Sequence, residues 1–222
     1  MVSQNNCLSG RVKRAVEFAN LMHEGQKRKG GDPYIIHPLA VLHNVLNFKK
    51  SHNIETLLMS ACLHDTIEDT NATYYDIAHL FGAEVAGLVL ELTTDSDMKN
   101  ALGKEQYLKI KMKNMTSWAL VIKLCDRLDN VSDLAQREDG FRERYTCETI
   151  EIVDYLFKNR KLSLTHLRII EQILLTLLRA CKDNKRCELR LGEMIGCCKA
   201  LIEARTLGVN NLARCRNKSY AD

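Results

Sequence analysis

The sequence predicts an all-α fold, and three observations carry that prediction. Only two prolines, Pro33 and Pro38, and 11 glycines occur in 222 residues, a breaker density too low for an all-β sandwich with its many turns. Apolar residues recur at helical spacing almost throughout, and strand-like alternation is rare. Hydrophobic residues make up 45% and charged residues 27% of the chain, the globular average, which removes disordered, collagen-like and coiled-coil readings. A chain of this length buries a substantial core in one compact body. The expectation is a single helical bundle of about nine or ten helices, with a main domain over residues 1–160. The same reading expects a helical extension over 161–206 packed on it and a polar tail over 207–222.

Val12, Val16, Ala19 and Met22 form an apolar stripe that opens after Ser9, a good N-cap, and closes at Gly25. The segment QKRKGGDPYIIHP reads as a basic loop, because both prolines and two glycines fall in it. Helices follow from about Leu39 to Lys49 and from Ile54 into His64 and Asp65, the latter capped by Asn53. The stretch LLMSACL is apolar nearly all round and belongs at the centre. Thr73 and Asp76 form a capping-box pair opening YYDIAHLF, Gly82 closes it, and AEVAGLVLEL is a short buried helix. TTDSDMKNALGKEQ reads as a surface loop leading into a basic helix from Tyr107 to Met115. Ser117 can cap SWALVIKLCDRLDNVSDLA, apolar in its first half and polar in its second. Further helices are expected from about Glu143 to Lys158, Ser163 to Lys182 and Arg186 to Arg205, before a frayed polar tail from Gly208.

A net charge of +4 is too mild for a dedicated nucleic-acid binder and compatible with an anionic small molecule. No apolar run reaches the ~18 residues of a membrane span. Nine cysteines, an odd number, and no secretion signal at the N-terminus point to a reducing, cytoplasmic setting. Five of them (Cys181, Cys187, Cys197, Cys198, Cys215) lie after residue 180 without C-x-x-C spacing, which reads as buried or idle thiols rather than a zinc site.

The most informative segment is HDTIED, His64 to Asp69, which puts four ionisable groups at the end of a strongly apolar helix. Burying such groups costs several kcal/mol each unless something compensates them, and a divalent cation does so. His64 and Asp65 can converge on one ion, with Glu68 and Asp69 one turn further along beside it. His37, between an apolar pair and Pro38, and Asp126, at the end of ALVIKLC with Asn130 one turn below, are further ligand candidates. Two nitrogens and two oxygens leave coordination positions for water and a substrate oxygen, which suits hydrolysis. Lys27, Arg28 and Lys29 precede this set, and Arg and Lys at such a place suit a phosphorylated substrate. His23, His43, His52, His79 and His166 lack such support and read as surface or core-edge residues.

These motifs resemble the HD-superfamily hydrolase domain of the RelA/SpoT homologues, and in length the stand-alone small alarmone hydrolases. GQKRKGGDPYIIHPL, ACLHDTIEDT, FGAEVAGLVLELT and IKLCDRLDNVSDL stand in the family's order, within about residues 10 to 156, and RYTCETIEIVDYL resembles the segment after the last motif. The resemblance implies an all-α domain that binds one Mn²⁺ and removes the 3′-pyrophosphate of guanosine tetra- or pentaphosphate, yielding pyrophosphate and GDP or GTP. It implies His37, His64, Asp65 and Asp126 as metal ligands, and Glu68 and Asp69 as the residues that orient or deprotonate water. Arg28 then stacks on guanine, Lys29 contacts phosphate or nucleotide, Asn130 contacts the nucleoside and Tyr34 packs the loop against the pocket. Two departures stand out: Asp129, where an aromatic or histidine is frequent, and Cys125, adjacent to a ligand and expected to point away. Removal of the 2′-phosphate of NADPH, cleavage of another nucleotide and non-catalytic nucleotide binding are the alternatives. No membrane or dedicated nucleic-acid partner is expected, and a homo-oligomer is compatible.

Overall fold

A computed structural model describes residues 8–50, 53–181 and 184–207. The elements in order are α1 (Gly10–Met22), α2 (Ile36–Phe48), α3 (Ile54–Leu63), α4 (Thr66–Asp69), α5 (Tyr74–Phe81) and α6 (Ala83–Leu92). They continue as α7 (Ser96–Leu102), α8 (Lys104–Asn114), α9 (Ser117–Ser132), a 3-10 turn (Leu134–Gln136), α10 (Asp139–Asn159), α11 (Leu164–Ala180) and α12 (Lys185–Thr206). Among the described residues the only β-type pairing is an isolated antiparallel bridge between Lys27 and Pro33. The all-α expectation holds, and ten of the helices have eight or more residues. None among the described residues is long and apolar enough to cross a membrane.

The helices group into two compact units. The first takes residues up to 94 together with Thr116–Asp126, and the second takes Asp95–Met115 and the residues from Arg127 onward. In the first, α3 is central as its composition requires: Leu57, Leu58, Met59, Ala61, Cys62 and Leu63 are buried, with α1, α2 and α6 packed on it and α5 on α6. Each such Leu or Met stabilises by about 1.5–3 kcal/mol on leaving water, so the unit is built around this helix. In the second, α11 and α12 pack together and both meet α10, while α8 packs on α7 and α10. The core there is made by Ile152, Leu156, Ile170, Leu174, Leu177 and Leu191.

Local signals account for most helix ends. Ser9 Oγ accepts from Val12 N at 3.3 Å, the Thr73–Asp76 capping box forms in full, and Gly82 leaves the helix at φ +98°. Several expectations need correction. Helix α3 stops at Leu63 instead of running through Asp65, because Thr66 Oγ1 donates to the Leu63 carbonyl at 2.7 Å. That takes an acceptor that continuation of the helix would use, and α4 restarts with Asp69 N on Asp65 O at 2.9 Å. Asn53 makes no side-chain cap bond. Helix α2 begins at Ile36, with Pro38 in its first turn, where a missing N–H costs nothing. The segment read as a surface loop contains α7, which Asp95 caps by accepting from Met98 N at 3.0 Å and Gly103 ends at φ +77°. Thr116 rather than Ser117 caps α9, since its Oγ1 accepts from Ala119 N at 3.3 Å.

His43 and His79 are exposed. His23 and His166 are buried, deeper than the surface or core-edge position expected, because each ring finds a partner three residues away, His23 at Gln26 and His166 at Ser163. No disulfide joins the described cysteines, and Cys62, Cys125, Cys181 and Cys198 are buried. His52, Cys7, Cys215, the expected helix end at Lys182 and the tail from Gly208 lie outside the described residues.

Candidate metal centre

Three stretches of the first unit deliver the candidate ligands. His37 sits in the first turn of α2, His64 is the C-cap of α3 with Asp65 after it, and Asp126 lies on α9. His37 Nε2 is 3.3 Å from Asp126 Oδ1 and 3.5 Å from Asp65 Oδ2, and His64 Nε2 is 3.0 Å from Asp65 Oδ2. One ligand atom each from His37, His64 and Asp126 falls within 4.8 Å of the others, the only such trio among the described residues.

The tautomer of His64 follows from its neighbours. Its Nδ1 lies 2.8 Å from the Ala61 carbonyl, which can only accept, so Nδ1 carries the proton and Nε2 keeps a lone pair. That Nε2 is buried and makes no hydrogen bond. A buried acceptor without a partner costs about 1–3 kcal/mol, and a cation is the partner an imidazole oriented in this way takes. Both carboxylates favour the charged form. Burial opposes ionisation of Asp65, but the adjacent His64 and then His37 outweigh it and hold the pKa below the usual carboxylate range. Burial likewise opposes ionisation of Asp126, and Lys123, whose Nζ is 2.8 Å from Asp126 Oδ2, together with His37 and His64 holds it well below that range. Two imidazole nitrogens and two ionised carboxylates form a donor set suited to a divalent first-row cation.

A second ring of groups surrounds this set. The Tyr34 hydroxyl donates to Asp65 Oδ2 at 2.6 Å and to Asp69 Oδ2 at 3.3 Å. Burial, then the Asp65 charge, raises the Tyr34 pKa, so it remains a donor. Burial, then Asp65 and Glu68, raises the Asp69 pKa, placing this carboxylate closer to the range where it can take and give a proton. Glu68 Oε2 accepts from Thr94 N at 2.8 Å. Gln26 Nε2 donates to the Asp69 carbonyl at 2.8 Å.

Arg28 and Lys29 lie at the tip of a small hairpin, Arg28 half-buried and Lys29 exposed. Arg28 N donates to Asp32 O at 2.8 Å, Tyr34 N to Gln26 O at 3.1 Å, and Gly31 turns the chain at φ +93°. Asn130 and Asp129 are half-buried on the later part of α9, which belongs to the second unit. Cys125 is buried and stands outside the ligand trio, its carbonyl accepting from Asn44 Nδ2 at 3.3 Å. Sequence reasoning missed three residues of this neighbourhood: His23, Gln26 and Lys123. Lys123 had a signal, a lone cation inside the apolar run ALVIKLC. The other two had none, because their roles depend on how the hairpin folds back.

A family model described as HD domain matches residues 15–161. The chain is 41% identical over 143 residues to a guanosine-3′,5′-bis(diphosphate) 3′-pyrophosphohydrolase of Aquifex aeolicus, covering 64% of this chain and 20% of that protein. It therefore spans about a fifth of the length of that bacterial relative. It is 35% identical over 128 residues to the Drosophila melanogaster protein named guanosine-3′,5′-bis(diphosphate) 3′-pyrophosphohydrolase MESH1, covering 57% of this chain and 70% of that one. Among solved structures, a metazoan orthologue of SpoT described as hydrolysing ppGpp superposes with a TM-score of 0.62 at 27% identity, over 75% of this chain and 95% of that one.

Proposed function

The chain belongs to the HD-domain family, and on that premise we propose that it removes the 3′-pyrophosphate of guanosine tetra- and pentaphosphate, giving pyrophosphate and GDP or GTP. The observation that carries the reading is the buried His37, His64 and Asp126 trio, with Asp65 beside it and a His64 Nε2 that makes no hydrogen bond. The relatives named as pyrophosphohydrolases support the choice of substrate. His37, His64, Asp65 and Asp126 hold one Mn²⁺, and the matched region supports a hydrolase domain over residues 1–160 with 161–206 as an extension.

When bound, the ion lowers the pKa of a coordinated water and polarises a phosphoryl oxygen. The protein's own groups do the rest. Asp69, its pKa raised, accepts the proton of the attacking water and passes it on, with Glu68 beside it to orient that water. Tyr34 holds the Asp65 and Asp69 carboxylates in register through its hydroxyl. Arg28 stacks on the guanine, Lys29 contacts the nucleotide, and the positive charge of the hairpin offsets the repulsion between a polyphosphate and the attacking oxygen.

The test is to incubate the purified, Mn²⁺-loaded protein with guanosine tetraphosphate and follow pyrophosphate, with phosphate release from NADPH as the second arm. Pyrophosphate with GDP is the expected result. Phosphate from NADPH with an inert guanosine tetraphosphate would move the substrate reading to a 2′-phosphatase. Release of neither product would overturn both substrate readings and leave cleavage of another nucleotide or non-catalytic nucleotide binding.

A further inference from the structure

The bonds behind Tyr34 lead to a side chain that the proposed reaction does not use. His23, the C-cap of α1, is 3% exposed. Its ring lies against that of Tyr34, with centroids 4.6 Å apart and planes tilted by 34°. Its Nδ1 is 2.8 Å from Gln26 Oε1, and Gln26 Nε2 reaches the Asp69 carbonyl at 2.8 Å. An amide has one donating and one accepting end, and the Asp69 carbonyl can only accept. Gln26 therefore turns its NH₂ to Asp69 and its oxygen to His23, and the His23 proton sits on Nδ1. His23 Nε2 is buried and makes no hydrogen bond.

Packing alone does not account for this residue. An unpartnered buried nitrogen costs about 1–3 kcal/mol, a penalty that an apolar side chain of similar size avoids. We infer that His23 is a positioning residue for the hydrolytic centre. It holds the backbone of Asp69 through Gln26, and the Asp69 carboxylate through the ring of Tyr34. The inference rests on the proposed role of Asp69 in moving the proton of the attacking water. A carboxylate of this kind must be held within a few tenths of an ångström of its productive place, and a misplacement of about 1 Å costs on the order of 10²-fold in rate.

The experiment has two arms on the full chain. Nitrogen-15 NMR of the wild type should find His23 neutral with its proton on Nδ1, and the Asp69 amide, which donates to Asp65 O at 2.9 Å, should exchange about ten times faster in His23→Leu. A proton on Nε2, or unchanged exchange, overturns the inference whatever the substrate proves to be. In steady-state assays with Mn²⁺ and guanosine tetraphosphate, His23→Leu should lower kcat by about tenfold or more while KM stays within about twofold. His23→Asn places an N–H where Nδ1–H stands and should recover most of that loss. The double variant His23→Leu/Tyr34→Phe should be no slower than the slower single variant by more than about twofold, because both act on one carboxylate. A kcat for His23→Leu within about twofold of wild type, or a His23→Asn as slow as His23→Leu, overturns it too. Should the wild type release no pyrophosphate, the substrate reading falls and the NMR arm still decides this inference. His23→Asn keeps the kinetic arm informative if His23→Leu does not fold.

Discussion

Asp126 and Arg127 are neighbours on α9, both are buried, and they join clusters of different kinds. Arg127, in the second unit, is answered by protein. Its Nη1 donates to Thr149 Oγ1 at 2.8 Å, its Nη2 to Glu148 Oε1 at 3.1 Å, and its guanidinium lies 5.1 Å from the centroid of the Tyr145 ring. Asp126, in the first unit, pairs with Lys123 at 2.8 Å and also joins a cluster of two imidazoles and a second carboxylate, in which His64 Nε2 makes no hydrogen bond. A buried charge met by the chain's own groups holds a fold together. A buried polar set that stays incomplete keeps a place for something the chain does not encode.

Asp65→Ala tests the incomplete side most severely. Turnover should fall by at least about a thousandfold, because the variant removes a proposed ligand and the acceptor of the Tyr34 hydroxyl together. The loss should appear in kcat, with thermal unfolding close to wild type, and a variant that still turns over within tenfold would dissolve the contrast. The complete side is broken by Arg127→Met. Among the described residues it leaves Glu148 with Lys104 alone, whose Nζ is 3.0 Å away, and it should cost about 3 kcal/mol of stability. Denaturant unfolding reads that cost, and calorimetric Mn²⁺ affinity should not change.

Smaller changes sharpen the comparison. Arg28→Ala should raise KM about tenfold with kcat nearly unchanged, as expected for a group that grips substrate more than transition state. Glu151→Gln should cost less than about 1 kcal/mol at pH 7, since the carboxylate is partly solvated. Although burial opposes it, pairing with Arg190 and Lys109 lowers the folded-state pKa of Glu151. The stabilisation is therefore present above the unfolded pKa and is lost as pH falls through the lowered folded one, so wild type and variant should converge in unfolding experiments as the pH is taken below the ordinary glutamate range.

The class of fold and the ligand candidates were legible because each rests on local pattern. The buried run LLMSACL, the Thr73–Asp76 box and the prolines beside His37 say the same thing in sequence and in space. The failures share a physical cause. The break between α3 and α4 depends on a Thr66 hydroxyl competing for a backbone carbonyl, and composition cannot weigh that competition. Helix α7 hid behind polar residues, although Asp95 and Gly103 bracket it as cap and stop. His23 and Gln26 were invisible for another reason. Their partner Asp69 lies more than forty residues away, and only the folded hairpin brings them together.

That hairpin has a consequence for how quickly and how tightly an anion is met. Lys27 pairs with Pro33, Arg28 N with Asp32 O and Tyr34 N with Gln26 O, so the backbone under Arg28 and Lys29 is already ordered. Ordering a free loop residue costs roughly 1–2 kcal/mol of entropy, and here folding has met that cost before any ligand arrives. If Arg28 and Lys29 meet a phosphate as proposed, the backbone that carries them needs no rearrangement, so capture should proceed at a rate set by encounter rather than by loop ordering.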